Sequence, residues 1–238
     1  MARRVQAGPR VCAGAVLLVV FAALAGCGGP AATRATSPAP DLSDRLDAMA
    51  PQAQLDTLRI LEQAAPDDPR LVLHIGNAYY ALGAAEPAER HSRAVAYYDS
   101  AVAAYQRAAE LDTTYSRAYV NMGLAYDGGG HRNEARAAFQ HALAIDPRDV
   151  LAYCHLGFLE QSMGNRDEAM TMYQQALAID PNSAQAHYNL GLAFAETRIF
   201  REALKEWELA AKADPDGEIG KAAGENANII RQYLAETP

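Results

Sequence analysis

Residues 116–149 read SRAYVNMGLAYDGGGHRNEARAAFQHALAIDPRD, and this arrangement returns in residues 150–183, VLAYCHLGFLEQSMGNRDEAMTMYQQALAIDPNS, and in 184–217, AQAHYNLGLAFAETRIFREALKEWELAAKADPDG. Gly123, Gly157 and Gly191 stand 34 residues apart. Ala135, Ala169 and Ala203 keep the same interval, as do Phe139, Tyr173 and Trp207, then Ala142, Ala176 and Ala210, and finally Pro147, Pro181 and Pro215. A fixed period of this length is the mark of a stack of identical supersecondary units. The small residues let two helices approach, and the aromatic fills the space between one helical hairpin and the next. Enlarging a packed small residue such as Ala169 costs about 1–3 kcal/mol. Gly130 and Gly164 fall where a first helix must end, and glycine suits the left-handed position there. Each Asp-Pro pair (Asp146-Pro147, Asp180-Pro181, Asp214-Pro215) stops a second helix, because proline has no amide to continue it. Asp149, and Asn182 or Ser183, are placed to cap the helix that follows.

The three copies resemble the tetratricopeptide repeat. Copy one carries Tyr119, Met122-Gly123, Tyr126, Ala135, Phe139, Ala142 and Pro147. Copy two carries Tyr153, Leu156-Gly157, Glu160, Ala169, Tyr173, Ala176 and Pro181. Copy three carries His187, Leu190-Gly191, Phe194, Ala203, Trp207, Ala210 and Pro215. Glu160 and His187 depart from the usual large or aromatic residue. The resemblance implies an all-α fold, a right-handed solenoid of about four to five hairpins in which first helices line a concave face and second helices a convex one.

Working outward, residues 41–68 read as a degenerate first repeat. Pro51 splits it, residues 52–65 form its second helix, Pro66 takes the closing position, and Asp68 caps a new helix with Pro69 in its first turn. Repeats then occupy 69–215. Val72, Ile75-Gly76 and Tyr79 open a hairpin whose second half, Ala101, Tyr105 and Ala108, arrives late. Gly76 precedes Gly123 by 47 residues, 13 more than one period. The surplus lies within 84–98 and is expected to lengthen the second helix from about Ala88. Tyr79, Tyr80, Tyr97 and Tyr98 there either pack the enlarged hairpin or form a binding cluster. After Pro215, the spacing of Ile219, Ala223, Ala227, Ile230 and Leu234 predicts a capping helix within 216–238, weakened by Gly220 and Gly224.

The amino terminus is a targeting segment. Arg3, Arg4 and Arg10 precede an uncharged run, 11–25, of 15 residues, shorter than the roughly 20 of a membrane-spanning helix. Residues 1–26 therefore read as a secretory signal. Leu24-Ala25-Gly26-Cys27 resembles the lipobox of bacterial lipoproteins, which implies cleavage before Cys27 and acylation of that cysteine. With several acyl chains the anchor is stable, and Gly28 in place of Asp favours an outer membrane facing the periplasm. Residues 27–40, rich in Pro, Ala, Thr and Ser, form a tether that cannot bury enough apolar surface to order itself.

The formal charge is −8, and removal of a signal bearing three Arg and no acid takes it to about −11. No basic stripe for nucleic acid exists. Loss of Cys12 and acylation of Cys27 leave Cys154 alone, so packing rather than a disulfide must hold the fold. Gly128-Gly129-Gly130 follows no strand and is not a phosphate loop. The six His lack ligand spacing, so no metal or cofactor is expected. Cys154 and His155 are adjacent on a helix and do not face each other. An enzyme built on Cys154 is the remotest alternative, with Cys154 otherwise expected as a groove-lining thiol.

Function is expected in the concave groove. Two residues before each signature glycine stand His74, Asn121, His155 and Asn189, a ladder of hydrogen-bonding side chains. One residue after stand Asn77, Leu124, Phe158 and Leu192. Arg70 and Arg117 belong to one rim, Asp127 and Glu196 to the other. Such a ladder suits the backbone of an extended peptide and the parallel row its alternate side chains. The expected function is a non-catalytic adaptor for proteins or peptides on the bacterial envelope. The resemblance points to pilus or secretin assembly, outer-membrane protein assembly or recruitment of cell-wall enzymes. A self-associating scaffold is the other reading.

Overall fold

The computed structural model describes residues 45, 46 and 48–236. The expected signal 1–26, Cys27, the expected tether 27–40 and residues 41–44 lie outside the described residues. Ten α-helices follow in order: α1 Pro51–Ala64, α2 Pro69–Ala85, α3 His91–Leu111, α4 Ser116–Gly128, α5 Arg132–Ile145, α6 Val150–Ser162, α7 Arg166–Ile179, α8 Ala184–Glu196, α9 Phe200–Ala213 and α10 Glu218–Glu236. A short 3-10 turn, Ala88–Arg90, precedes α3, and no strand occurs among the described residues. Pairs α2/α3, α4/α5, α6/α7 and α8/α9 form hairpins, with α1 packed on α2 and α10 on α9. Successive first helices (α2, α4, α6, α8) also touch one another, while the second helices make no comparable contact. The first helices therefore lie on the inside of the curve.

Local chemistry sets the helix ends. Asp68 accepts a hydrogen bond from the Arg70 amide with Pro69 opening α2, and Asp149 and Ser183 cap α6 and α8 through the amides of Ala152 and Ala186. The carboxylates of Asp146 and Asp180 accept from the amides of Arg148 and Asn182, each at 3.0 Å, and so turn the chain after α5 and α7. Gly130 (φ 82°) and Gly164 (φ 87°) take the left-handed position between the helices of their hairpins. The third regular hairpin has no glycine there, and Arg198 adopts φ 61° instead.

One contact recurs through the stack. A methyl group added to Gly76, Gly123, Gly157 or Gly191 would fall 2.6 Å or less from the ring of Tyr105, Phe139, Tyr173 or Trp207, respectively. Each ring lies on the glycine of its own hairpin and also packs against the first helix of the next. Phe139 meets Ala152 and Leu156, and Tyr173 meets Leu190 and Ala193. Trp207 meets Ala223 and Ala227 of α10, which closes the stack. The polar edges are satisfied from the first helix of the same hairpin: the Tyr105 hydroxyl donates to Asn77 Oδ1, Tyr173 to Gln161 Oε1, and Trp207 Nε1 to the Tyr188 carbonyl. At the cap, a methyl on Gly220 would strike the Asp214 carbonyl, so this glycine permits a close approach; Gly224 faces open space.

Both departures from the repeat pattern are buried and have polar partners. Glu160 is only 6% exposed. Arg136 donates to it through Nε (2.5 Å) and Nη2 (2.6 Å), and Asn165 Nδ2 through a third bond of 2.7 Å. Burial raises the Glu160 pKa, but these hydrogen bonds outweigh it and hold the carboxyl below its usual range. His187 lies between Glu206 Oε2 (Nδ1, 2.6 Å) and the Pro181 carbonyl (Nε2, 3.0 Å).

The long hairpin differs from the expected one. First helices α4, α6 and α8 have 13 residues and α2 has 17; second helices α5, α7 and α9 have 14 and α3 has 21. Measured from the Gly76–Tyr105 contact, the surplus adds four residues to the C-terminal end of α2, seven to the N-terminal end of α3, and two to the loop. Both helices lengthen together because either alone would leave its apolar face uncovered. Tyr98 of α3 lies on Gly83 of α2. The four tyrosines do not form one cluster. Tyr80 pairs with Tyr98 (centroids 5.5 Å apart), Tyr79 meets Arg59, and Tyr97 meets Arg93.

Gly157→Ala is expected to destabilise the full chain by about 1–3 kcal/mol through overpacking against Tyr173, even though alanine is the better helix former. Arg198→Gly is expected to stabilise it by about 1 kcal/mol by relieving the left-handed cost. Denaturant unfolding of both variants checks the opposite signs. Because the folded pKa of Glu160 is depressed, its contribution is present above the unfolded carboxyl value, about 4.3, and is lost as pH falls through the lower folded value. Glu160→Gln is therefore expected to cost about 1–3 kcal/mol at neutral pH, a deficit that shrinks as the pH is taken below the ordinary carboxyl range.

Candidate functional site

An α-helix turns about 100° per residue. A glycine facing the aromatic of its own hairpin thus directs the residue two positions earlier almost the opposite way, out of the hairpin and into the curve. His74, Asn121 and His155 reach the groove by this rule. Together with Asn77, Arg117 and Leu124 they line an open groove of about 490 Å³ across α2, α4 and α6. Leu73, Tyr115, Val120, Asp149 and Leu151 complete its walls. Sequence reasoning placed none of these five in the groove. Leu151 stands four residues before His155 on one helix face, a relation visible in the sequence.

The groove is polar at its floor and apolar along α6. Asn121 Nδ2 donates to Asn77 Oδ1 at 2.9 Å, the same oxygen that accepts from Tyr105, so an amide bridge crosses from the first hairpin to the second. His155 stacks on Phe139, with centroids 5.9 Å apart and planes 19° from parallel. Burial lowers its pKa, against a smaller opposing pull from Asp149, so at neutral pH it is a neutral hydrogen-bonding ring. Arg117 is exposed and makes no ion pair among the described residues. Leu151 is 52% exposed and Phe158 51%, about one helical turn before and after His155.

Phe158, Leu192, Asn189 and Cys154, all expected in the groove, are not among the residues lining this cavity. Phe158 stands on the open surface beyond it. Leu192 is partly buried against the cluster around Trp207. Asn189 is 5% exposed, with its oxygen occupied by Gln185, and α8 also packs against α10. Cys154 is not a groove thiol. It is buried with Ala176 and Ala186, because three residues before Gly157 is the same helix face as the glycine. Burial pushes its pKa up to about 12, so it is not a thiolate at neutral pH. No group of three or more potential metal ligands occurs among the described residues.

Paired helices on a 34-residue period, with an inner groove, define a tetratricopeptide-repeat solenoid. A family model described as tetratricopeptide repeat matches residues 116–149, and one described as TPR repeat matches 160–197. Among solved structures the chain is similar to MamA, with 24% identity, a TM-score of 0.56, and coverage of 74% of this chain and 96% of that one. It is also similar to MamA from Desulfovibrio magneticus RS-1 (18% identity, TM-score 0.56, covering 73% and 90%). A thermophilic TPR protein of Thermus thermophilus is similar too, with 19% identity, a TM-score of 0.57, and coverage of 74% and 90%. These likenesses are of fold. No curated protein sequence matches the chain.

In the native chain Cys154 is expected to resist iodoacetamide at neutral pH and to react on denaturation. Mass spectrometry of the peptide that contains it checks this; rapid native labelling would contradict the buried placement.

Proposed function

We propose that the protein is a non-catalytic interaction scaffold that holds partner proteins or peptides along its inner groove, tethered to a bacterial envelope through an acylated Cys27. The observation that carries the reading is the groove of about 490 Å³, open to solvent and lined by the hydrogen-bonding side chains of His74, Asn77, Asn121 and His155, with Arg117 and Asp149, beside the apolar Leu124 and Leu151. That mixture suits an extended peptide, whose backbone needs donors and acceptors and whose alternate side chains need apolar contact. The repeat fold supports protein binding in general. The lipobox-like sequence before Cys27 supports the anchor, and Gly28 favours the outer membrane facing the periplasm. The partner belongs to an envelope machinery, whether for pilus or secretin assembly, outer-membrane protein assembly or cell-wall enzyme recruitment.

A photo-crosslinking side chain placed at Asn121 or at His155 in native membranes is expected to give discrete adducts with another protein, and one at the exposed Gln174 of α7 is not. Adducts only with the chain itself would favour self-association. In the same preparations Cys27→Ser is expected to shift the protein to the soluble fraction; unchanged membrane association would refute the anchor.

A further inference from the structure

Beside the groove, and sharing Asn77, Asn121 and Leu124 with it, lies a smaller and equally open cavity of about 120 Å³, also walled by Tyr80 and Tyr105. No charged side chain lines it. Its polar floor is internally fixed: Asn77 Oδ1 is saturated by Tyr105 and Asn121. The amide nitrogen of Asn77 and the amide oxygen of Asn121 have no hydrogen-bond partner among the described residues. Both residues line this cavity and the groove alike, so a free donor and a free acceptor on adjacent amides stand where the two meet. Turning both amides over, an equally consistent network, exchanges which residue donates but leaves one of each.

The lengthened hairpin builds one wall. Tyr80 pairs with Tyr98, which lies in the extended N-terminal part of α3. The Tyr98 ring also lies on Gly83 at the end of α2 and on Gly128 at the end of α4. It therefore wedges the tips of two first helices and supports Tyr80 from behind. Burial, with Tyr98 and Asp127 adding to it, keeps the Tyr80 hydroxyl protonated and neutral.

We propose that this cavity is a side-chain specificity pocket for a primary carboxamide, an Asn or Gln of the bound partner, and that the lengthened α2–α3 hairpin serves to support it. The proposal rests on the groove reading and names what the groove selects. A carboxamide matches a paired donor and acceptor at once. A carboxylate would leave the acceptor opposite an acceptor, near Asp127. An aliphatic chain would strand both amides, and buried polar groups without partners are the strongest source of discrimination. The size agrees: at about 30 Å³ per water the cavity holds roughly four water-sized groups, a carboxamide with one or two methylenes.

The test is NMR titration of the isotopically labelled chain, from Cys27→Ser membrane-free preparations, with the N-acetyl methylamides of Gln, Asn, Glu and Leu. The Asn77 and Asn121 side-chain amide signals are expected to shift saturably with the Gln or Asn compound in the roughly 1–100 mM range of so small a ligand. Glu and Leu compounds are expected to bind about tenfold more weakly or worse. Tyr98→Ala is expected to abolish the shift and Tyr98→Phe to keep it, with Asn121→Leu abolishing it while the melting temperature shows a folded chain. Equal shifts with all four compounds, or no saturable shift, would overturn the pocket. Crosslinks at His155 without carboxamide binding would sink the pocket alone; carboxamide binding without crosslinks at His155 would sink the groove reading alone.

Discussion

In every hairpin a ring sits where a glycine has no side chain, and the spacing of the stack depends on that contact. With a methyl group at Gly123 or Gly157 the second helix would stand off from the first, and the ring could no longer touch the following hairpin as well. The same glycine sets the direction of its neighbours. Because it faces inward to the ring, the residue two positions earlier faces the curve. Packing and binding face are thus one decision made by one small residue, repeated in each hairpin.

The period of 34 made most of this legible. Hairpin boundaries, the glycine turns at 130 and 164, the caps at Asp68 and Asp149, and the closing helix all follow from local rules that neighbouring residues carry, while the choice of Ser183 over Asn182 as the cap of α8 did not. What could not be read were properties that belong to pairs distant in sequence. Glu160 looked like a flaw in the pattern because its partner, Arg136, lies 24 residues earlier. His187 looked like another because Glu206 lies 19 residues later. Arg198 holds a left-handed turn without glycine because the hairpin on either side dictates the path. His74, Asn77, Arg117, Asn121, Leu124 and His155 line one cavity, whereas Phe158 stands outside it and Asn189 on α8 is buried, an effect of neighbours that its own repeat could not announce. Cys154 was misplaced for a simpler reason: its offset of three from Gly157 already assigned it to the packed face.

The surplus of 13 residues shows how a periodic fold absorbs an irregularity. It entered at the hairpin tip, where two helices can grow against each other without disturbing the register below. The Gly76–Tyr105 contact is the same as in the regular hairpins, so the stack downstream is unaffected. Arg90 and Arg93 close on Glu86 at the tip, an exposed pairing on the arginine side that adds little stability. The apolar contact of Tyr98 with the two helix ends is the firmer link.

In mechanical terms a repeat stack is a spring, since each unit leans only on its neighbours and every joint can bend a little. The Tyr98 ring changes that at one joint. It grips the ends of α2 and α4, while the Asn77–Asn121 bridge ties the same two helices near their middle. Two fastenings along one joint resist rotation as well as separation. The α2–α4 joint is therefore held at two heights along its first helices, while the next joint is held from its second helix, by Arg136 of α5 on Glu160 of α6.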